Sequence, residues 1–197
     1  MNFLKNDSVK LLLSVVALFS LIVFSYQRNA IESNYQPTTI KFLSSHGMVS
    51  LDQFKGKIVL LYFGFLTCPE ACPTTMSHVS KAFKELTPEE LNKVVMIFID
   101  LDPKRDSIEK LTEYTGYFHK NIIPFWAEEK TTRPLARYFG VEYREVPLKS
   151  TMGYTIDHST DIVVVSPSGS IDSNIHHGTN SVLMLKNIRD LFKKFNL

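Results

Sequence analysis

Residues 57–75 read Lys57-Ile58-Val59-Leu60-Leu61-Tyr62-Phe63-Gly64-Phe65-Leu66-Thr67-Cys68-Pro69-Glu70-Ala71-Cys72-Pro73-Thr74-Thr75. The run through Phe65 is almost continuously apolar and rich in β-formers, the pattern of a central strand covered on both faces. Beyond Pro73, Met76, Val79, Phe83 and Leu86 recur at helical spacing. A strand therefore passes through a short turn into a helix, and both cysteines of the chain sit in that turn. Placed four apart in a first helical turn, Cys68 and Cys72 face the same way with α-carbons about 6 Å apart, close enough for a disulfide or for one soft ion. Free N–H groups and the positive dipole end at a helix start also lower a thiol pKa.

Working outward, Val94 to Ile99 and Asp161 to Val165 are two further apolar runs of strand length. Thr38 to Leu43 is expected as an early strand, and Gly169 closes a turn before a final one. Between them lie helical stripes. Ile108, Leu111, Thr115 and Phe118 follow Asp106 and Ser107 as expected caps. Arg133 to Phe139 makes a short helix closed by Gly140. Leu185, Ile188, Phe192 and Phe195 give a last helix one buried face. Alternating strands and helices predict an α/β fold with a mixed, mostly parallel central sheet flanked by helices.

At 197 residues and 22.5 kDa the chain suits one domain. A net charge of +2 leaves no basic stripe for nucleic acid, and two cysteines cannot make a disulfide scaffold. No charged residue occurs between Lys10 and Arg28, and Leu11 to Phe24 is apolar except for Ser14 and Ser20. Residues 1–26 are expected to be an uncleaved signal anchor with its N-terminus inside, because no small-x-small cleavage site follows. Residues 27–37, polar and ending in Pro37, are expected as a tether, and residues 38–197 as the folded domain. The leader lacks the Arg- and Ser-rich character of a transit peptide, which favours a bacterial inner-membrane protein facing the periplasm over the mitochondrial intermembrane space.

Two thiols alone do not choose between redox exchange and metal binding; a third ligand decides. His46 lies in an expected turn, His78 points to another face of the cysteine helix, and His119 sits near a helix end. His176 and His177 are strand neighbours that point to opposite faces. His158, in Tyr154-Thr155-Ile156-Asp157-His158-Ser159, is expected in a loop that leads into Asp161–Val165 and can place it across from the cysteines.

These motifs resemble the SCO/SenC family of copper-binding, thioredoxin-fold assembly proteins. The Cys-Pro-x-x-Cys-Pro signature is Cys68 to Pro73. Asp102-Pro103-Lys104-Arg105-Asp106 looks like the family's strand-end block, Tyr154 to Ser159 like its histidine motif, and Ser166-Pro167-Ser168-Gly169 like the turn after it. The stretch Asn121 to Lys130 departs from the family by lacking a glycine-rich turn.

The resemblance implies one copper ion held by Cys68, Cys72 and His158. Two soft thiolates and an imidazole suit Cu(I); Cu(II) would call on a further ligand, with Asp157 and Glu70 as candidates. It also implies a thioredoxin-like, membrane-anchored metallochaperone rather than an enzyme. Such a protein delivers copper to the dinuclear centre of cytochrome c oxidase subunit II, or reduces that centre's cysteines, with a copper donor and a thiol reductant as further partners. The alternative is a periplasmic thiol–disulfide oxidoreductase using Cys68 and Cys72, with His158 tuning the thiolate. Asp102, Arg105 and Asp106 are expected as a structural ion-pair and capping cluster.

Overall fold

The computed structural model describes residues 11, 13–24 and 37–197. The chain divides into two compact units, residues 1–36 and 37–197. In the first, the described residues are helical and exposed. Among the described residues no helix is long and apolar enough to cross a membrane. The remainder of the expected anchor (1–10, 12, 25 and 26) and tether residues 27–36 lie outside the described residues.

In chain order the second unit contains β1 (Phe42–Ser44), β2 (Gly47–Val49), β3 (Ile58–Gly64), α1 (Ala71–Lys84), α2 (Pro88–Leu91), β4 (Val94–Asp100), α3 (Ile108–Phe118) and β5 (Ile122–Phe125). It continues through α4 (Glu129–Tyr138), β6 (Tyr143–Pro147), β7 (Tyr154–His158), β8 (Ile162–Val165), β9 (Ile171–Ile175) and α5 (Ser181–Phe195). The central sheet has the order β5-β4-β3-β8-β9. Every residue of β3 and β4 is buried, because both faces of the sheet are covered. On one face Ile58, Leu60 and Tyr62 share a core with Met76, Val79 and Phe83 of α1, Leu111 of α3 and Ile188 of α5. The alternate residues Val59, Leu61 and Phe63 meet Phe42, Phe125, Leu135, Phe139 and Ile156 on the other. Period-two alternation thus explains why the run is apolar throughout. Each such fully buried side chain favours folding by about 1.5–3 kcal/mol over leaving it exposed.

The sheet is mixed, but it is not mostly parallel. β3–β4 and β4–β5 pair in parallel, whereas β3–β8 and β8–β9 pair antiparallel. Parallel neighbours need a helical crossover. β8 instead follows strand β7 almost directly, and a short turn joins it to β9.

Three segments differ from their sequence reading. Thr38–Leu43 is not one strand: a 3-10 turn spans Pro37–Thr39, and the strand Phe42–Ser44 forms a hairpin with β2. The atypical stretch after Asn121 contains β5, whose Pro124 is tolerated because β5 is an edge strand. Tyr154–His158 is a strand rather than a loop, paired antiparallel with β6 from Tyr143↔His158 to Pro147↔Tyr154. The side chains of β6 are exposed or half-buried, and its Arg144, Glu145 and Pro147 mask the alternation that would reveal it.

Candidate metal centre

The site begins where β3 ends. Gly64 closes the strand because nothing larger fits: a β-carbon there would lie 2.8 Å from Cys72 Sγ and 2.8 Å from the Phe98 ring. Cys72 is fully buried against the sheet, while Cys68 is half-buried.

Helix α1 starts at Ala71, so Cys68 belongs to the preceding turn and only Cys72 to the first helical turn. The two still converge. Glu70, at the N-cap, makes no side-chain capping bond. The backbone N–H of Cys72 donates instead to Cys68 Sγ at 3.4 Å, putting sulfur where a capping oxygen usually sits. Pro73 occupies the first turn, where a missing N–H deprives the helix of nothing.

This arrangement separates the two thiols. The hydrogen bond from the Cys72 thiol, helped by His158 and by the backbone N–H groups of Cys72 and Glu70, outweighs burial and lowers the Cys68 thiol to about 4. The Cys72 thiol is pushed up by its bond to Cys68, by burial and by the Cys68 charge. Ionisation is thus favoured at Cys68 and disfavoured at Cys72.

His158 closes the triangle. It is the last residue of β7 and shares one face of that strand with Ile156, buried in the core, and Tyr154. Its Nδ1 lies 2.8 Å from the Ser159 carbonyl oxygen. Only a protonated Nδ1 can donate to that oxygen, so Nε2 is the ring nitrogen available to a ligand. The ring stands edge-on to Phe65, with centroids 5.8 Å apart. One ligand atom each from Cys68, Cys72 and His158 lie within 4.8 Å of one another, a compact donor set of two sulfurs and one imidazole nitrogen. That set suits a soft monovalent ion in trigonal coordination.

The other candidates stay apart. Asp157 faces outward and pairs with Arg144 at 3.0 Å; Glu70 is exposed. His176 Nδ1 meets Asp161 at 2.9 Å, whereas the His177 ring lies 3.4 Å from Thr75 Oγ1. His46 is exposed beyond β1, and His78 is half-buried on α1. His119 accepts from the Asn121 N–H and packs edge-on to Phe83.

The segment from Asp100 to Asp106 joins the two arms of the site. Asp106 Oδ2 accepts the Leu66 N–H at 2.8 Å, two residues before Cys68. Ser107 rather than Asp106 caps α3. Asp102 pairs with Arg105 and accepts the Tyr154 hydroxyl at 2.7 Å. The ion-pair half of the expected cluster is thus present, and the structure adds its links to both ligand-bearing arms. Two further sequence signals point to the site: a glycine ending a buried strand, which marks a close approach, and Phe65, which forms a wall for the imidazole.

A mixed sheet flanked by helices, with two unlike thiols and an imidazole at the end of its central strand, defines a thioredoxin-like domain equipped for soft-metal or disulfide chemistry. The chain belongs to the SCO1/SenC family, whose sequence model matches residues 30–193. It is similar to a SCO2-like protein of Rickettsia prowazekii, at 28% identity over 195 residues covering 94% of this chain and 93% of that one. It is also similar to the human mitochondrial SCO2 homologue, at 32% over 117 residues, 59% of this chain and 44% of that one; the match thus spans less than half of the human protein. Among solved structures, copper-bound ScoI of Arabidopsis thaliana superposes with a TM-score of 0.72 at 24% identity, over 79% of this chain and 96% of that one.

Proposed function

We propose that this protein binds one copper ion through Cys68, Cys72 and His158 and serves as a copper chaperone in cytochrome c oxidase assembly. The convergence of the three ligand atoms within 4.8 Å carries this reading. Copper is cargo here. Cys68 already exists as thiolate, Cys72 gives up its proton on binding, and the His158 Nε2 lone pair completes a trigonal set. Residues 1–26 anchor the chain in the inner membrane with the domain in the periplasm, where a copper donor and a thiol reductant act on it. The acceptor is the dinuclear copper centre of subunit II.

A second reading rests on the asymmetry of the thiols. A half-exposed thiolate beside a buried, protonated thiol is the arrangement of an attacking and a resolving cysteine. Cys68 would attack a partner disulfide, and Cys72 would then displace the partner's reduced thiol, leaving Cys68–Cys72 oxidised. The same site could reduce the acceptor's cysteines before loading them.

Competition of the reduced full-length protein against a Cu(I) chelator tests the first reading, beside His158→Ala and Cys72→Ser. One tight equivalent that both substitutions weaken supports it. Binding that ignores His158 removes it and leaves disulfide reduction as the function.

A further inference from the structure

We propose that Arg105, together with Tyr154, is a positioning residue that sets His158 at ligating distance from the two cysteines; this rests on the copper-binding reading above. The β6–β7 hairpin is a two-stranded ribbon outside the central sheet, and an isolated ribbon is marginally stable without further anchoring. His158 ends that ribbon, so where the imidazole stands depends on what holds β7.

On the inner face of β7 two features do so. Ile156 is buried in the core. The other is Arg105, from the turn between β4 and α3. One nitrogen of its guanidinium donates to the backbone carbonyl oxygens of Tyr154, at 2.8 Å, and Met152, at 3.2 Å. Its plane covers the Tyr154 ring, with Cζ 3.7 Å from the centroid. Its Nε is held by Asp102, whose other oxygen accepts the Tyr154 hydroxyl at 2.7 Å. Backbone, ring and hydroxyl of one β7 residue are therefore all tied to the Asp102–Arg105 pair.

That pair is in turn fixed to the cysteine arm. Leu101 donates its N–H to the Gly64 carbonyl at 2.8 Å, and Asp106 accepts the Leu66 N–H. One seven-residue segment thereby holds the strand that ends in His158 and the turn that carries Cys68. Tyr154 and His158 share the same strand face, about 13 Å apart at strand rise, and β6 pairing stiffens the span between them. A shift of β7 by even one ångström is large against the tolerance of a metal–nitrogen bond.

If Arg105 acts through His158, its removal matters only while His158 is present. Cu(I) affinities are measured by chelator competition on the reduced full-length protein for the wild type, Arg105→Ala, Tyr154→Phe and His158→Ala, and for each of the first two variants combined with His158→Ala. Copper X-ray absorption records the nitrogen contribution, and thermal unfolding records folding. Arg105→Ala is expected to weaken binding about 10-fold or more, the scale for groups that orient a ligand, with loss of copper–nitrogen scattering. Tyr154→Phe, which retains the ring, shifts affinity less in the same direction. Neither should weaken binding further in the His158→Ala background. Equal losses in both backgrounds, or unchanged affinity and scattering in Arg105→Ala and Tyr154→Phe, overturn the positioning role while leaving copper binding intact. Should Arg105→Ala fail to fold, Tyr154→Phe decides alone. Failure of the wild type to bind, or indifference to His158→Ala, overturns both readings.

Discussion

The backbone N–H of Cys72 donates to the sulfur of Cys68 at 3.4 Å, so the helix that carries one cysteine is capped by the other. The Cys72 thiol first, then His158 and this backbone contact, favour the charged form of Cys68 against the cost of burial and lower it to about 4. A lowered pKa means that thiolate persists to lower pH. Alkylation of Cys68 by iodoacetamide in the reduced, metal-free protein should therefore hold its rate from pH 8 to about 5 and fall only on approach to 4. In Cys72→Ala, which deletes the donating thiol, the fall should move to higher pH. A Cys68 that loses reactivity between pH 9 and 8 in the wild type would contradict the arrangement.

Gly64 is required by space rather than by backbone conformation. Its missing side chain leaves room for Cys72 Sγ and the Phe98 ring, both fully buried and each 2.8 Å from where a β-carbon would be. Gly64→Ala should destabilise the domain by about 1–3 kcal/mol, as overpacking does. It should also lower Cu(I) affinity, because Cys72 is the group that has to move. Calorimetry and chelator competition check the two effects. Wild-type values in both would mean that the strand end relaxes freely.

Asp106 serves the cysteine arm as Arg105 serves the histidine arm. Its carboxylate takes the Leu66 N–H just upstream of Cys68. Asp106→Ala leaves that N–H without its acceptor in a partly buried turn, at a cost of about 1–3 kcal/mol. Asp106→Asn retains an acceptor oxygen and should recover most of the loss. Urea unfolding of the two variants distinguishes the hydrogen bond from mere bulk: equal destabilisation would rule out the bond as the cause.

The parts of this structure that the sequence made legible are those governed by burial on two faces. β3 and β4 stand out because every residue is apolar or nearly so, and α1 and α5 because each shows one apolar stripe. β5 and β6 are hidden in the sequence for physical reasons: β5 is a short edge strand that accommodates Pro124, and β6 exposes Arg144 and Glu145. Without a visible partner strand, β7 reads as a loop, and the shared face of Tyr154, Ile156 and His158 is hidden. His158 is legible from its place just before the β8 run and from the motif it resembles, since no local periodicity links it to cysteines so distant in the chain. The direction of β8 was equally hidden, because strand composition does not record which way a neighbour runs.

Asp100 yields the sharpest test of the polar segment behind the site. It is fully buried at the end of β4; burial first, and the Asp106 charge next, raise its carboxyl to about 9. Its Oδ1 accepts the Asp102 N–H, and its carboxyl is paired by a side-chain hydrogen bond with that of Asp106. At neutral pH the folded protein therefore carries Asp100 protonated, whereas the unfolded chain ionises it near 3.8. Between about pH 4 and 9 the folded state binds the extra proton, and linkage makes this residue's contribution fall as pH rises. Only about a unit below 3.8 are both states protonated, and there the penalty disappears. Asp100→Asn keeps an acceptor for Asp102 and cannot ionise, so it should be more stable than the wild type at pH 8 and indistinguishable from it at about pH 3. Denaturant midpoints at the two pH values measure the difference directly. A variant destabilised at pH 8, or stabilised equally at both, would show that Asp100 is charged in the fold and that the segment joining the two ligand arms is held by ion pairing rather than by a neutral, buried carboxyl group.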